Sequence, residues 1–237
     1  EWYLKDFQSF IDYNIQDVEI VDRLEDKMRL IELCLTMAYD AKVNYMDVLG
    51  SVKYWDILIY NELRKKNIVI PQKIQREKSE KFEGAYVKDP IVGLHKWVMS
   101  FDLNSLYPHL IMQYNISPET LVADKAVKNM SVEKMLNKEV DTSILKDATM
   151  TPNGALFKTT QKGFLPELMQ KMYDDRVKFK QLMLEAQKDY EKTKDPKLLR
   201  DISKFNNIQM AKKISLNSAY GAIGNVWFRY YNILVAE

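Results

Sequence analysis

Three groups of residues have types and spacings that could do chemistry. The run Asp102-Leu103-Asn104-Ser105-Leu106-Tyr107-Pro108 puts a carboxylate ahead of a tight turn and an aromatic ring. A carboxylate at the end of a strand can hold a hard cation such as Mg²⁺, which keeps several waters and is usually bound by one or two carboxylates plus substrate phosphates. Backbone N–H groups in a turn that opens a helix suit triphosphate oxygens. Tyr107, fixed by Pro108, would present a flat ring beside a bound sugar. The plainer alternative is a turn or N-capping aspartate beside a core tyrosine. In the second group, Arg176 and Lys180 stand four apart, while Lys213, Asn217 and Tyr220 fall at i, i+4 and i+7. Each set shares one helix face. If both faces turn the same way, three cations converge, the usual clamp for phosphoryl charge, and Tyr220 beside Gly221 adds a surface on which a base can stack. The alternative is a solvated charged face next to Asp174 and Asp175. The third group is Tyr13 and Asp17, four apart at a helix start. Such a pair can orient a water and bind a metal in a nuclease, but the helix dipole alone also favours an aspartate there.

Positioning these groups calls for particular elements. Apolar residues recur at helical spacing over residues 17–41, with Val18, Val21, Leu24, Met28, Ile31, Leu35 and Ala38 on one stripe, which predicts one long amphipathic helix. A second helix is expected over 54–66, burying Trp55, Leu58, Ile59 and Leu63, followed by a polar connector over 71–95. Residues 96–102 are β-rich and predict a strand buried on both faces, leading through Ser105 as N-cap into a helix with Pro108 in its first turn. Short strands, a small helix near 132–136 and a turn at Thr151-Pro152-Asn153-Gly154 should follow. Residues 167–193 and 196–219 are rich in helix formers and separated by Lys194-Asp195-Pro196, so they predict an antiparallel hairpin ended by Gly221 and Gly224. The β-branched and aromatic residues of 225–235 read as a final strand.

Composition excludes several classes. With 46% hydrophobic residues, only 7 Gly and 7 Pro among 237 residues, the chain can bury a core and is not mainly disordered. One cysteine, Cys34, permits neither an internal disulfide nor a cysteine metal cluster, and points to an intracellular protein. Two histidines, His95 and His109, are too few for a zinc site, and no apolar run reaches the roughly 18 residues of a membrane span. A Gly-Lys-Ser/Thr phosphate loop, a Gly-x-Gly-x-x-Gly turn and a Gly-x-Ser-x-Gly elbow are all missing from the sequence. Net charge is +2, so the placement of cations matters more than their sum.

The order of the motifs carries a resemblance. Ser100-Phe101-Asp102-Leu103-Asn104-Ser105-Leu106-Tyr107-Pro108, followed by Lys213-Ile214-Ser215-Leu216-Asn217-Ser218-Ala219-Tyr220-Gly221, resembles the first two polymerase motifs of family B DNA polymerases. Tyr13 and Asp17 match the family's third exonuclease motif, and Phe82-Glu83-Gly84-Ala85 resembles its Tyr-x-Gly-Gly/Ala connector. Asn115-Ile116-Ser117-Pro118-Glu119-Thr120 and Gly224-Asn225-Val226-Trp227-Phe228-Arg229-Tyr230-Tyr231 are most similar to replicative polymerases of T-even-like bacteriophages. The resemblance implies an α+β fold: the helical end of an RNase H-like 3′–5′ exonuclease domain over 1–70, a connector over 71–95, the first part of a palm with antiparallel strands over 96–165, a two-helix fingers hairpin over 166–222, and a return to the palm over 223–237.

It also implies roles. Asp102 would bind both metals of a two-metal Mg²⁺ site, Asp17 would bind an exonuclease metal beside Tyr13, and the backbone of Leu103, Ser105 and Leu106 would follow the triphosphate. Tyr107 would be the steric gate against a 2′-hydroxyl; Arg176, Lys180 and Lys213 would grip the triphosphate, with Lys213 protonating the pyrophosphate; Asn217 would support the nucleotide pocket. Tyr220 and Gly221 would press on the nascent base pair, and Gly84 and Ala85 would touch the template. Implied partners are primer-template DNA, deoxynucleoside triphosphates and a sliding clamp bound through a C-terminus absent here, with no membrane, in the cytoplasm of an infected bacterial host. Two departures stand out: Phe82 where the family has Tyr, and His109 where a small residue is common. The family's second catalytic carboxylate, in an Asp-Thr-Asp hairpin, has no counterpart before Glu237, so the expectation is a central segment of a DNA polymerase, inactive alone. The alternative is a naturally split or truncated non-catalytic subunit that binds nucleotide or DNA and needs a partner chain.

Overall fold

A computed structural model describes residues 2–74, 87–122, 127, 130 and 132–236. Its longest elements are the predicted hairpin: α7, Phe164–Thr193, and α8, Pro196–Ile223. The turn between them is specified locally. Lys194 takes the left-handed conformation that ends α7, Asp195 caps α8 by accepting from the Lys197 N–H at 2.9 Å, and Pro196 occupies the first helical position, where no N–H is needed. Phe179 meets Phe205 at a ring separation of 6.1 Å and Asp175 meets Lys212 at 3.4 Å, so position rises on one helix as it falls on the other and the pair is antiparallel. Gly221 lies inside α8 rather than ending it; Gly224 is the cap.

The N-terminal part corrects the expectation of one helix over 17–41. After the short α1, Trp2–Lys5, come α2, Phe7–Met28, and α3, Leu30–Ala41, with Arg29 between them in the left-handed region. The break is held by two bonds to one residue: Arg29 N–H donates to the Glu25 carbonyl at 2.7 Å, and the Glu25 carboxylate accepts from Ile31 N–H at 3.1 Å. Packing explains why the helix turns there. Residues 37, 38 and 41 of α3 are buried in the core, whereas α2 buries no side chain and leaves Val18, Val21, Leu24 and Met28 exposed. Helix α2 also starts well before Tyr13, from an Asp6 cap, so Tyr13 and Asp17 sit in mid-helix and not at a helix start.

Helix α4, Ser51–Lys65, buries Trp55, Leu58, Ile59 and Leu63 as expected, mostly against α8. Helix α5, Leu106–Gln113, packs on both α7 and α8. The short α6, Val132–Leu136, precedes an antiparallel hairpin of β1, Ala148–Met150, and β2, Leu156–Lys158, in the register Thr149 to Phe157, around the predicted turn.

Two expected strands do not form. Residues 96–102 have no strand beside them among the described residues; Trp97 is 97% exposed with φ 58°, and Val98, Met99 and Phe101 are exposed too. Apolar composition favours a strand only when a ladder and a covering layer exist to receive it. Residues 225–235 form turns and the short α9, Ile233–Ala236. There Asn225 and Asn232 side chains accept from Trp227 and Leu234 N–H groups, each at 2.9 Å, local bonds that compete with an extended ladder. The architecture is therefore helix-rich with a small antiparallel sheet.

Candidate functional site

The candidate site lies where α5 meets the α7–α8 hairpin. Ser105 stands at the N-cap position of α5 as expected, but its hydroxyl makes no capping bond; its left-handed conformation, φ 54°, turns the chain sharply after Asp102. Its hydroxyl accepts from Arg176 Nη1 at 2.8 Å and donates to Asn104 Oδ1 at 3.3 Å. The Ser105 carbonyl accepts from the His109 ring Nδ1 at 2.9 Å, and the His109 ring stands edge-on to Tyr173 at 4.7 Å. The turn is thus tied to α7 from two sides. On the α8 side, the Tyr107 ring stacks on Tyr220 at 4.8 Å with the planes 15° apart. Burial, and then the neighbouring Tyr107, raise the Tyr220 hydroxyl pKa above the ordinary tyrosine value, so this hydroxyl faces the site uncharged near neutrality.

Helix α8 presents two faces of different character. Ala211, Ser215, Ala219 and Ala222 are buried, while Lys213, Asn217 and Gly221 are exposed. Small residues on the first face let α4 approach closely. Tyr54 donates its hydroxyl to Ser215 Oγ at 2.7 Å, because Ser215 spends its own proton on the Ala211 carbonyl, and Trp55 Nε1 donates to Ser218 Oγ at 3.0 Å. Lys212 is only 7% exposed and is neutralised by Asp40 at 2.8 Å and Asp175 at 3.4 Å. Asp174 accepts from Gln170. The acids near the cations are therefore engaged elsewhere, and neither Lys180 nor Lys213 forms an ion pair among the described residues. A Cβ built on Gly221 meets nothing within 4 Å, so the space over that turn of α8 is open.

Of the residues singled out by sequence, Ser105 and Arg176 are bonded to each other and Tyr107 and Tyr220 are stacked. Asp102, Leu103, Leu106, Lys180, Lys213, Asn217 and Gly221 are exposed or partly exposed around or along the same elements. Tyr13 and Asp17 are on α2, where the Tyr13 ring meets Trp2 edge-on, at 5.8 Å. Gly84 and Ala85, with Phe82 and Glu83 of the connector, lie outside the described residues. No group of three or more His, Cys, Asp or Glu residues suited to a metal occurs among the described residues, so Asp102 is not part of such a group there.

Sequence reasoning passed over Ser215, Ser218 and Lys212. The spacing of 211, 215, 219 and 222 as small residues was the available signal for a packed face. It also passed over the capping of α7 by Asn115, Ser117 and Glu119, which only tertiary proximity reveals: Gly163 N–H donates to Asn115 Oδ1 at 2.9 Å and Phe164 N–H to Glu119 Oε1 at 2.5 Å.

A family model described as DNA polymerase family B matches residues 51–237. The chain is 33% identical over 269 aligned residues to a "DNA-directed DNA polymerase" of Escherichia phage RB69 and 30% identical over 269 to one of Enterobacteria phage T4, each time across 95% of this chain and 29% of the relative. It is 30% identical over 219 residues to a "DNA polymerase delta catalytic subunit" of Arabidopsis thaliana, across 90% of this chain and 18% of the relative. Among solved structures, the family B DNA polymerase of Pyrobaculum calidifontis superposes with a TM-score of 0.64 at 23% identity, over 90% of this chain and 25% of that one, a likeness of fold. The chain spans under a third of the length of these relatives.

Proposed function

The chain belongs to DNA polymerase family B, and from that premise we propose that it contributes the nucleotide-facing part of a template-directed DNA polymerase that adds deoxynucleotides to a primer 3′ end. One observation carries the reading: the Ser105–Arg176 bond and the Tyr107–Tyr220 stack draw the turn after Asp102 and both long helices to one place. There Tyr107 serves as the gate to the sugar. The backbone of Leu103, Ser105 and Leu106 follows the triphosphate, and Arg176, Lys180 and Lys213 counter its charge, Lys213 with a proton for the leaving pyrophosphate. Asn217 supports the pocket, and the open space over Gly221 beside Tyr220 leaves room for the nascent base pair.

The substrates are primer-template DNA and deoxynucleoside triphosphates. Asp102 is one carboxylate for a divalent metal, Mg²⁺ in this proposal. The donors among the described residues do not by themselves complete a metal centre. Residues 1–70 form the helical end of an RNase H-like 3′–5′ exonuclease domain, with Tyr13 and Asp17 on its active side, 71–95 connect it to a palm over 96–165 with 223–237, and 166–222 are the fingers. A sliding clamp is the partner for processive synthesis, and the likeness to phage polymerases supports the cytoplasm of an infected bacterium as the place of work.

The test is Asp102→Ala in the polymerase that carries this chain, assayed by primer extension. Extension should fall by about three orders of magnitude or more, as expected when charge stabilisation at a phosphoryl centre is removed. Extension at the unmodified rate would refute the placing of Asp102 at the metal.

A further inference from the structure

We propose that Tyr220 is a positioning residue for the sugar gate: its ring holds Tyr107 in the orientation that discriminates deoxyribose from ribose. This rests on the reading of Tyr107 as the gate. The role goes beyond pressure on the base pair, because it assigns Tyr220 a share in selecting the sugar.

The geometry of the two rings makes the case. Tyr107 sits one residue inside α5, and Pro108 fixes the backbone behind it but not the ring. Tyr107 is 40% exposed, so packing covers only part of it, and the Tyr220 ring supplies cover from 4.8 Å away, within 15° of parallel. Beside the stack is an apolar cavity of about 330 Å³, lined by both rings with Leu110, Tyr114, Ile223 and Leu234. That cavity is large enough to accept a displaced aromatic ring, and its mainly apolar lining would cover the ring carbons of one. A gate with empty apolar space at its side excludes a 2′-hydroxyl only if something prevents it from swinging away. Tyr220 is anchored well enough to prevent this, since it sits on α8 next to buried Ala219 and Ala222, on the helix that Tyr54 and Trp55 bind through Ser215 and Ser218. The stack therefore transfers the rigidity of the hairpin to a side chain on another element.

The measurement is competition between dATP and ATP for the polymerase that carries this chain, mixed with a primer-template whose next template base is thymine and whose primer ends in a 2′,3′-dideoxynucleotide, so that no 3′-hydroxyl can attack and sugar preference is read without turnover. Tyr107→Ala is the reference for loss of the gate. Tyr220→Leu should reduce the preference for dATP over ATP, read as the ratio of the two affinities, by up to about tenfold, the size expected from losing one aromatic pair. Tyr220→Phe, which keeps the stack and loses only the hydroxyl, should stay within about twofold of the unmodified protein. Thermal unfolding of each variant verifies that α8 remains folded. A preference that survives Tyr220→Leu but is lost in Tyr107→Ala overturns the positioning role and leaves the gate standing. A preference unaffected by Tyr107→Ala overturns the gate, and the proposal with it.

Discussion

Ser215 and Ser218 decide which way the cations of α8 point. Both accept hydrogen bonds from α4 aromatics, which turns their face inward and leaves Lys213 and Asn217 outside. Tyr54 is buried, and burial pushes its hydroxyl pKa up to about 12, so it remains a donor to Ser215 at any pH the protein meets. Tyr54→Phe removes that donor without leaving a cavity and should cost about 1 kcal/mol in denaturant unfolding; a variant of unchanged stability would show that the bond contributes nothing net. Asp56 offers a pH test. It is buried, accepts from the Arg229 N–H at 3.3 Å, and burial raises its pKa. The folded protein thus binds this proton more tightly than the unfolded chain, and the contribution to stability falls as pH rises from the ordinary carboxylate value through the raised one. Asp56→Asn lacks that slope, so its stability relative to the unmodified protein should improve as pH rises from the ordinary carboxylate value of about 4 towards neutrality. A difference that stays flat across that range would contradict the assignment.

At the level of elements, the start of α7 is secured from a distance. Gly163, its N-cap, has no side chain to cap with, and Asn115, Ser117 and Glu119 supply the acceptors from the segment that follows α5. A carboxylate at this end also complements the helix dipole. The cap therefore joins α5 and α7 in addition to the Ser105–Arg176 bond. Glu119→Ala should lower stability by roughly 1–2 kcal/mol in urea unfolding, with Glu119→Gln recovering part of it; equal losses in both would show that charge, not the acceptor oxygen, matters. Gly163 itself leaves no room, since a Cβ there would stand 2.6 Å from Ser117 Cβ. The hairpin was legible in the sequence because its helix formers, its Asp195-Pro196 start and its length are local signals. The break at Arg29 was not, because the apolar stripe runs through it and only the core contacts of α3 set it apart from α2.

For the whole molecule, the core gathers on α3, α4, α5, α7 and α8, while α2 and residues 87–103 expose many large apolar side chains, among them Val92, Leu94, Trp97 and Phe101. Exposed large apolar side chains gathered along one segment mark interaction or aggregation sites. The 237-residue chain is therefore expected to bind an apolar dye strongly and to sediment as larger species as its concentration rises. A single monomer boundary at all concentrations, with no dye binding, would contradict this. The sequence by itself determined the family, through ordered short motifs, and the helices whose caps and periodicity are written within a few residues. Tertiary structure decided what depends on neighbours far along the chain. It turned Lys212 inward to Asp40 and Asp175 and left Lys213 outside, stacked Tyr107 on Tyr220, and left 96–102 and 225–235 without the ladders that would make them strands. The physical reason is range: a cap or a helical stripe is satisfied by atoms within one or two turns, whereas a strand, a buried cation or a ring stack takes its energy from a partner whose position no local pattern encodes.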